Sequence, residues 1–343
     1  MTLQRALTVI LPVRGRVDFT RRWLEWAKSS ALSCAVIVAD GSDPDACETV
    51  ARTVVAGASQ GMPWSHRAAS GSALAVRIAD AAASIATPYA LLSANDDFPL
   101  TAGLSACVLA LEAHRATSVC GGPACAVALP ASEPIWSGRA RARASIARAP
   151  VDAATEIERV EALLNAYDPP WYDVHRAEVL RGAFSRVLAS GIRDMNLLEL
   201  THACAVAAAG PILRTEVPHL ARQEDVAGSA SAEIAEHGDL LAEILSEGWG
   251  SQFDAFVGSV GIDRRRVRAA YERYARATFA RTPNFDGRTP LRRRVAAALE
   301  SAMGPKAIAA LRRVRALHPA PTLPSAELAS ILAFLSRKPV VEK

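Results

Sequence analysis

The chain has 343 residues, half of them hydrophobic and 22% charged; it can bury a large core, which excludes a disordered or fibrous protein. Its formal net charge of +4 is unevenly spread: residues 261–343 carry 18 Lys+Arg against 6 Asp+Glu, leaving 21 against 29 for residues 1–260. The six cysteines form no C-x-x-C pair and have no clustered His partner along the sequence, which argues against thiolate metal binding and for reduced, mostly buried thiols.

The first residues, Met1 to Arg5, lead straight into the apolar run Leu7–Val13, too short for a signal peptide, and no apolar stretch reaches bilayer-spanning length, so a cytoplasmic location is expected. Leu7–Val13 reads as a first strand, closed by Pro12 and the turn around Gly15. Asp18 then opens a helix through about Ser29, with Phe19, Trp23, Trp26 and Ala27 at helical spacing. A second strand, Ala35–Ala39, ends in the turn Asp40-Gly41-Ser42-Asp43-Pro44. Ser70–Ile85 predicts a helix, and Tyr89–Ala94 a strand that terminates in Asn95-Asp96-Asp97-Phe98-Pro99.

Farther along, a strand is expected near 118–127 and a Pro/Arg-rich loop or insertion over 130–150. Helices are predicted over 156–167, 177–190 and 194–209, the last stopping at Gly210-Pro211. A strand over 212–217 follows, and beyond it the chain reads as helical almost to its end. Alternating strands and helices imply an α/β fold with a mainly parallel sheet. Two regions are expected: residues 1–230 as the nucleotide-binding and catalytic part, and residues 231–343 as a basic α-helical extension.

Open α/β sheets bind ligands just beyond the carboxyl ends of their strands, and Arg14, Asp40 and Asp96/Asp97 all lie at such ends. Adjacent carboxylates suit a hard cation, since Mg²⁺ or Mn²⁺ takes one or two protein carboxylates plus phosphate oxygens. Read alone, the pair equally describes an acidic turn capping a helix at Thr101.

Three segments taken together, Thr8–Arg16, Val36–Ser42 and Thr87–Phe98, resemble the opening of family 2-like GT-A glycosyltransferases in order and spacing. Asn196–Leu200 through Gly210, then Ala221-Arg222-Gln223-Glu224, are similar to the later E-L and R-Q elements of a bacterial branch with a D-D-D-F motif. The resemblance implies a transferase that moves a sugar from a nucleotide diphosphate, UDP foremost, to a glycan, lipid-linked or protein acceptor, with inversion and with Mn²⁺ or Mg²⁺. Asp40 is then the acid that bonds the nucleotide base, Asp97 the metal ligand, and Asp96 a neighbour of the ribose or a metal-bound water. Asn95 stands where the pattern has its first Asp, and its amide serves the ribose. Pro12, Arg14 and Arg77 fall in donor-contacting positions, Arg222 reaches the diphosphate, and Gln223 the sugar. Glu199 matches the catalytic base, with Asp194 the alternative. Trp171 and Tyr172, aromatic residues between the two halves of the site, are candidates for stacking on an acceptor sugar.

Two other functions compete. A sugar nucleotidyltransferase also opens with a strand and an arginine but normally carries a Gly-rich loop there, where this chain has Gly15 alone. A non-catalytic binding protein using the basic tail is the second; the tail shows no nucleic-acid recognition pattern, and no nucleic-acid partner is expected. The clusters Arg264–Arg268, Arg292–Arg294 and Arg312–Arg315 suit either peripheral contact with an anionic inner membrane face or pairing with the acidic front part.

Overall fold

The computed structural model describes residues 2–30, 32–129, 135, 140–146, 148–166, 168–192, 195–224, 263–279 and 326–337. Its elements run α1 (Leu3–Ala6), β1 (Leu7–Val13), α2 (Val17–Ser29), β2 (Ala35–Asp40), α3 (Pro44–Ser59), β3 (Trp64–Ala68), α4 (Leu74–Ala83), β4 (Tyr89–Leu92), β5 (Asp97–Pro99) and α5 (Thr101–Ala113). There follow β6 (Val119–Gly121), β7 (Ala124–Ala128), β8 (Arg141–Ile146), α6 (Glu156–Asn165), a 3-10 turn (Pro170–Tyr172), β9 (Val174–Arg176), α7 (Ala177–Ser190) and α8 (Met195–Ala209). The remaining described elements are β10 (Ile212–Arg214), β11 (Leu220–Glu224), α9 (Arg264–Phe279) and α10 (Ala326–Leu335).

The main sheet has the order β10-β6-β9-β4-β1-β2-β3. Strands β4, β1, β2 and the edge strand β3 are parallel, and β9 runs antiparallel between β4 and β6. Strand β1 is buried on both faces, as a central parallel strand must be. Val9 and Leu11 point into a core shared with α2, α5 and α10, while Ile10 points into one shared with α4, α6, α7, α8 and α9. A second, four-stranded sheet, β5-β11-β7-β8, stands beside it. The expected strand over 118–127 is thus two strands, β6 and β7, split at Gly122-Pro123 and assigned to different sheets. Within the expected loop 130–150 lies β8, antiparallel to β7.

Both described helices of the C-terminal region pack on these cores. Val267, Ala270 and Tyr271 of α9 are buried, and Arg266 pairs with Glu161 of α6 at 2.6 Å. That contact uses one residue of the first arginine cluster against the acidic front part; the other two clusters lie outside the described residues. Helix α10 buries Leu328, Ile331, Phe334 and Leu335, each worth about 1.5–3 kcal/mol, and a ten-residue helix needs such packing because it is marginal alone. Its Glu327 carboxylate accepts from the main-chain N–H groups of Thr101 (2.7 Å) and Ala102 (3.1 Å). The α5 N-terminus is therefore capped from a residue over two hundred positions away and not by the Asp96-Asp97 turn.

Two histidines are sealed in the other core. His175 Nδ1 donates to the Asp173 carbonyl at 2.7 Å, its Nε2 has no partner among the described residues, and neither ring nitrogen of His202 has one. Burial holds the His175 pKa down to about 4, and burial together with His175 pushes His202 well below its ordinary value. In the unfolded chain both titrate near 6.5, so their neutral packing contributes full stability above that pH and loses it as pH falls toward 4. Unfolding free energy should drop by about 1.4 kcal/mol per pH unit for each histidine in this window. Urea titrations between pH 7 and 5 test this: His202→Leu should flatten the slope, and an unchanged slope refutes the assignment.

Candidate functional site

The parallel strands β4, β1 and β2 deliver three loops to one edge. Val13 lies beside Asp40 in the β1–β2 register, and the Ser93 N–H donates to the Ile10 carbonyl at 2.9 Å, so the Asn95–Asp97 turn leaves the sheet next to the β1 loop. That loop makes a left-handed turn: Gly15 has φ 62° and Arg16 φ 52°, the latter the one non-glycine residue with positive φ among those described. A side chain in this region costs on the order of 1–3 kcal/mol, and it is held here by two contacts. The Arg16 guanidinium lies 4.0 Å from the Phe19 ring centroid and donates to Asp96 Oδ2 at 3.0 Å. The Gly15 N–H donates to Ser42 Oγ at 2.8 Å, tying this loop to the next.

Asp40 ends β2 and is fully buried. It accepts from the Ser42 N–H at 2.8 Å and lies 3.1 Å from His66 Nε2 on β3. Burial opposes its charge, but the hydrogen bonds from His66 and Ser42 prevail and hold its pKa below the ordinary carboxylate value. Arg77 of α4 is buried across Gly41 and donates to the Val13 carbonyl. A Cβ at position 41 would stand 2.3 Å from that guanidinium, so glycine is what lets Arg77 lie there. Arg14 is exposed in the same turn, and Pro12 is half-buried in β1. Burial, and then the charge of Arg14, lower the Arg77 pKa.

The second sheet brings the two ends of the chain's chemistry together. In the antiparallel β5–β11 pair Arg222 stands opposite Asp97, and the Gln223 N–H donates to Asp97 Oδ1 at 3.0 Å. Trp23 Nε1 donates to the Asp97 carbonyl at 2.8 Å from the other side. Asp97 is buried, and burial, then the charge of Asp96, raise its pKa to about 8. Arg222 lies 5.9 Å from the centroid of Tyr172. Burial drives the Tyr172 hydroxyl pKa well up; the charges of Asp97, Asp96 and Glu199 add to the rise and that of Arg222 opposes it. Glu199 is half-buried on α8, and its charge acts on the Tyr172 hydroxyl. The alternative base, Asp194, lies outside the described residues.

The turn carrying Tyr172 is clamped from below. Asp173, fully buried, pairs with Arg148 and, at 2.6 Å, with Arg214; both arginines also reach Asp168, at 2.6 and 3.1 Å. Burial alone would raise the Asp173 pKa, but Arg148 and Arg214 outweigh it and hold it well below the ordinary value. His219 lies with Nε2 3.1 Å from the Tyr172 carbonyl.

Several expected residues are turned away from the opening. Trp171 is buried, its ring edge-on to Phe184 (5.7 Å) and His202 (5.1 Å), so it packs the core and offers no face to an acceptor, whereas the Tyr172 ring lies 5.9 Å from Arg222. The Gln223 side chain is buried and accepts from Arg22 at 2.8 Å, and Asn95 Nδ2 donates to Thr20 at 3.1 Å. Arg22 and Arg16 are the site cations missing from the sequence reading. Arg22 sits on the apolar face of α2 between Phe19 and Trp23, stacked over Phe19 (4.9 Å) and Phe98 (5.2 Å), and burial lowers its pKa to about 10. An arginine amid an apolar helix face was the available signal.

No protein-family model and no curated protein matches the chain in sequence. Among solved structures it resembles S. aureus TarS 1–349 in complex with UDP-GlcNAc, with TM-score 0.50 and 10% identity, covering 84% of this chain and 77% of that one. Longer S. aureus TarS gives TM-score 0.50 and 11% identity over 84% and 46%. The mannosyltransferase PcManGT from Pyrobaculum calidifontis, in complex with GDP-Man and Mn²⁺, gives TM-score 0.45 and 13% identity over 96% and 84%. At such identities the likeness is one of fold: a GT-A arrangement, a mainly parallel sheet flanked by helices.

Proposed function

We propose that the chain is a glycosyltransferase that takes a sugar from a nucleoside diphosphate, UDP in first place, and passes it to an acceptor hydroxyl with inversion. The observation that carries this reading is the β5–β11 register, which sets Arg222 opposite Asp97, with Arg222 also 5.9 Å from the Tyr172 ring and the neighbouring Asp96 paired with Arg16. The Gly15–Ser42 and Arg16–Asp96 contacts tie the Asp40 turn to the carboxylate pair through the β1 loop, which suits a cation-dependent diphosphate site beside a carboxylate that accepts from the base. The neighbour solved with UDP-GlcNAc supports the same class of donor.

The residues fit a divalent cation of the Mn²⁺ or Mg²⁺ kind: two adjacent carboxylates, one paired with a single arginine and the other buried with its pKa raised, form an oxygen donor set whose charge a cation relieves. Asp97 and Asp96 would hold it, and when bound it neutralises charge on the departing diphosphate. Asp40 accepts an N–H of the base, with its geometry fixed by His66 and Ser42. Arg222, and Arg16 once released from Asp96, supply fixed positive charge to the phosphates. Tyr172 bounds the pocket where donor sugar and acceptor meet. Glu199 takes the proton of the attacking hydroxyl.

A thermal-shift panel of UDP, GDP, CMP, UTP and CTP with and without Mn²⁺ tests the donor assignment. UDP should stabilise the chain only with the metal, by about 2.7 kcal/mol at a hundredfold excess over Kd. A metal-independent shift with UTP or CTP exceeding that of UDP would favour a nucleotidyltransferase, and no shift with any nucleotide would sink the proposal.

A further inference from the structure

Three unlike metal-ligating side chains, far apart in type and element, converge beside the Asp40 turn. Asp40 Oδ2 and His66 Nε2 are 3.1 Å apart, His66 Nε2 and Cys47 Sγ 3.9 Å, and all three ligand atoms lie within 4.8 Å of one another. The cause is topological. In the β2–β3 register His66 is paired with Val38, so its side chain leaves the same sheet face as Asp40 two residues on. Cys47 lies on the inward stripe of α3 with Val50, Val54 and Gly57, the stripe that packs against the sheet. Asp43 accepts from the Ala46 N–H at 3.0 Å and starts α3 with its first turn over the end of β2.

Zinc bonds to nitrogen and carboxylate oxygen at about 2.0–2.2 Å and to thiolate at about 2.3 Å; tetrahedral angles then set ligands about 3.3 Å (O to N) and about 3.6 Å (N to S) apart. The Asp40–His66 and His66–Cys47 separations differ from these by a few tenths of an ångström, and the Asp40 and Cys47 ligand atoms lie within 4.8 Å. A cation seated between Asp40 and His66 takes the place of the proton they share, while the second Asp40 oxygen keeps its bond from Ser42. We propose that Asp40, Cys47 and His66 form a binding site for a borderline-soft divalent cation of the zinc type, and that this cation occludes the nucleotide-base end of the donor pocket. The occlusion rests on the donor reading above; the site itself does not.

The donor set decides which cation is taken. A thiolate and an imidazole favour zinc over Mg²⁺ or Mn²⁺, which prefer oxygen. One carboxylate and one thiolate also balance the charge of the cation, so a site in which Asp40 and Cys47 are both buried remains neutral overall. Binding releases the thiol proton to solvent, and His66, half-buried, stands on the side where water can complete the coordination. Two divalent cations then act in opposite senses on one protein: Mn²⁺ at the Asp96–Asp97 pair favours the donor, and zinc at Asp40 opposes it.

Zinc ions alone, titrated into the full chain against a chromophoric chelator, should bind with a Kd that weakens by roughly tenfold or more in Cys47→Ser, and likewise in His66→Gln. Co²⁺ used as a probe should give a thiolate-to-metal charge-transfer band in the wild type that Cys47→Ser lacks. Zinc should also weaken UDP binding in the wild type but not in Cys47→Ser. Zinc affinity and Co²⁺ spectrum unchanged in Cys47→Ser overturn the site. Thiol-dependent zinc binding with undiminished UDP affinity upholds the site and overturns the occlusion. Thiol-dependent zinc binding by a chain that takes no nucleotide upholds the site and overturns the occlusion together with the donor reading.

Discussion

Replacing Asp97 by alanine is expected to abolish divalent-dependent binding of UDP while leaving the fold intact. The carboxylate is buried, its oxygen Oδ1 accepts one main-chain N–H, and its neighbour Asp96 adds a second negative charge, so the pair concentrates charge that solvent does not relieve. Losing a direct cation ligand should cost more than the roughly 10–100-fold typical of losing a partner that merely orients one. Alanine also strips the Gln223 N–H of its acceptor and removes the charge opposite Arg222. Asp97→Asn separates the two effects, because the amide oxygen still accepts from Gln223 but carries no charge. Calorimetry with UDP and Mn²⁺ should show both variants losing the metal-dependent component. Asp97→Asn binding UDP with wild-type metal dependence would remove Asp97 from the site.

Sequence pattern revealed the strands β1, β2 and β4 and the helices α2, α4, α6, α7 and α8 because their signals are local, while α3, sixteen residues long, and β3 went unread between the Asp40 turn and α4. Leu7–Val13 is apolar on both faces, as its central place demands, and α7 ends at Ser190 because Gly191 follows with φ 67°. The later half of the site depends on pairing that no local window carries. Asp97 and Arg222 are neighbours only through the register of two short strands over a hundred residues apart, one of them hidden in what reads as an acidic turn. Strand β9, three residues long, was equally silent, yet it places Asp173 and the Tyr172 turn. Trp171 and Tyr172 look interchangeable as adjacent aromatics, but a 3-10 turn sends one ring into the core with Phe184 and His202 and the other toward Arg222. Nor does cysteine spacing disclose Cys47, whose partners come from two strands and not from neighbouring thiols.

Glu199→Gln should retain donor and metal binding and lose turnover. The amide occupies the same volume at the same place on α8 but accepts no proton from the acceptor hydroxyl. A positioned general base contributes on the order of 10²–10⁴ in rate, so kcat should fall by that factor while the donor Kd is unchanged. The split between kcat and Kd is the informative part. A Glu199 that merely supported Tyr172 would, when replaced, loosen the pocket and weaken donor binding along with turnover. Tyr172→Phe provides the comparison, since it leaves the carboxylate in place and removes only the phenol whose pKa burial and the surrounding charges raise. Single-turnover assays on a hydrolysable UDP-sugar, read beside UDP calorimetry on the same preparations, separate the two roles. Near-normal turnover by Glu199→Gln would assign the proton transfer elsewhere, with Asp194 as the next residue to replace.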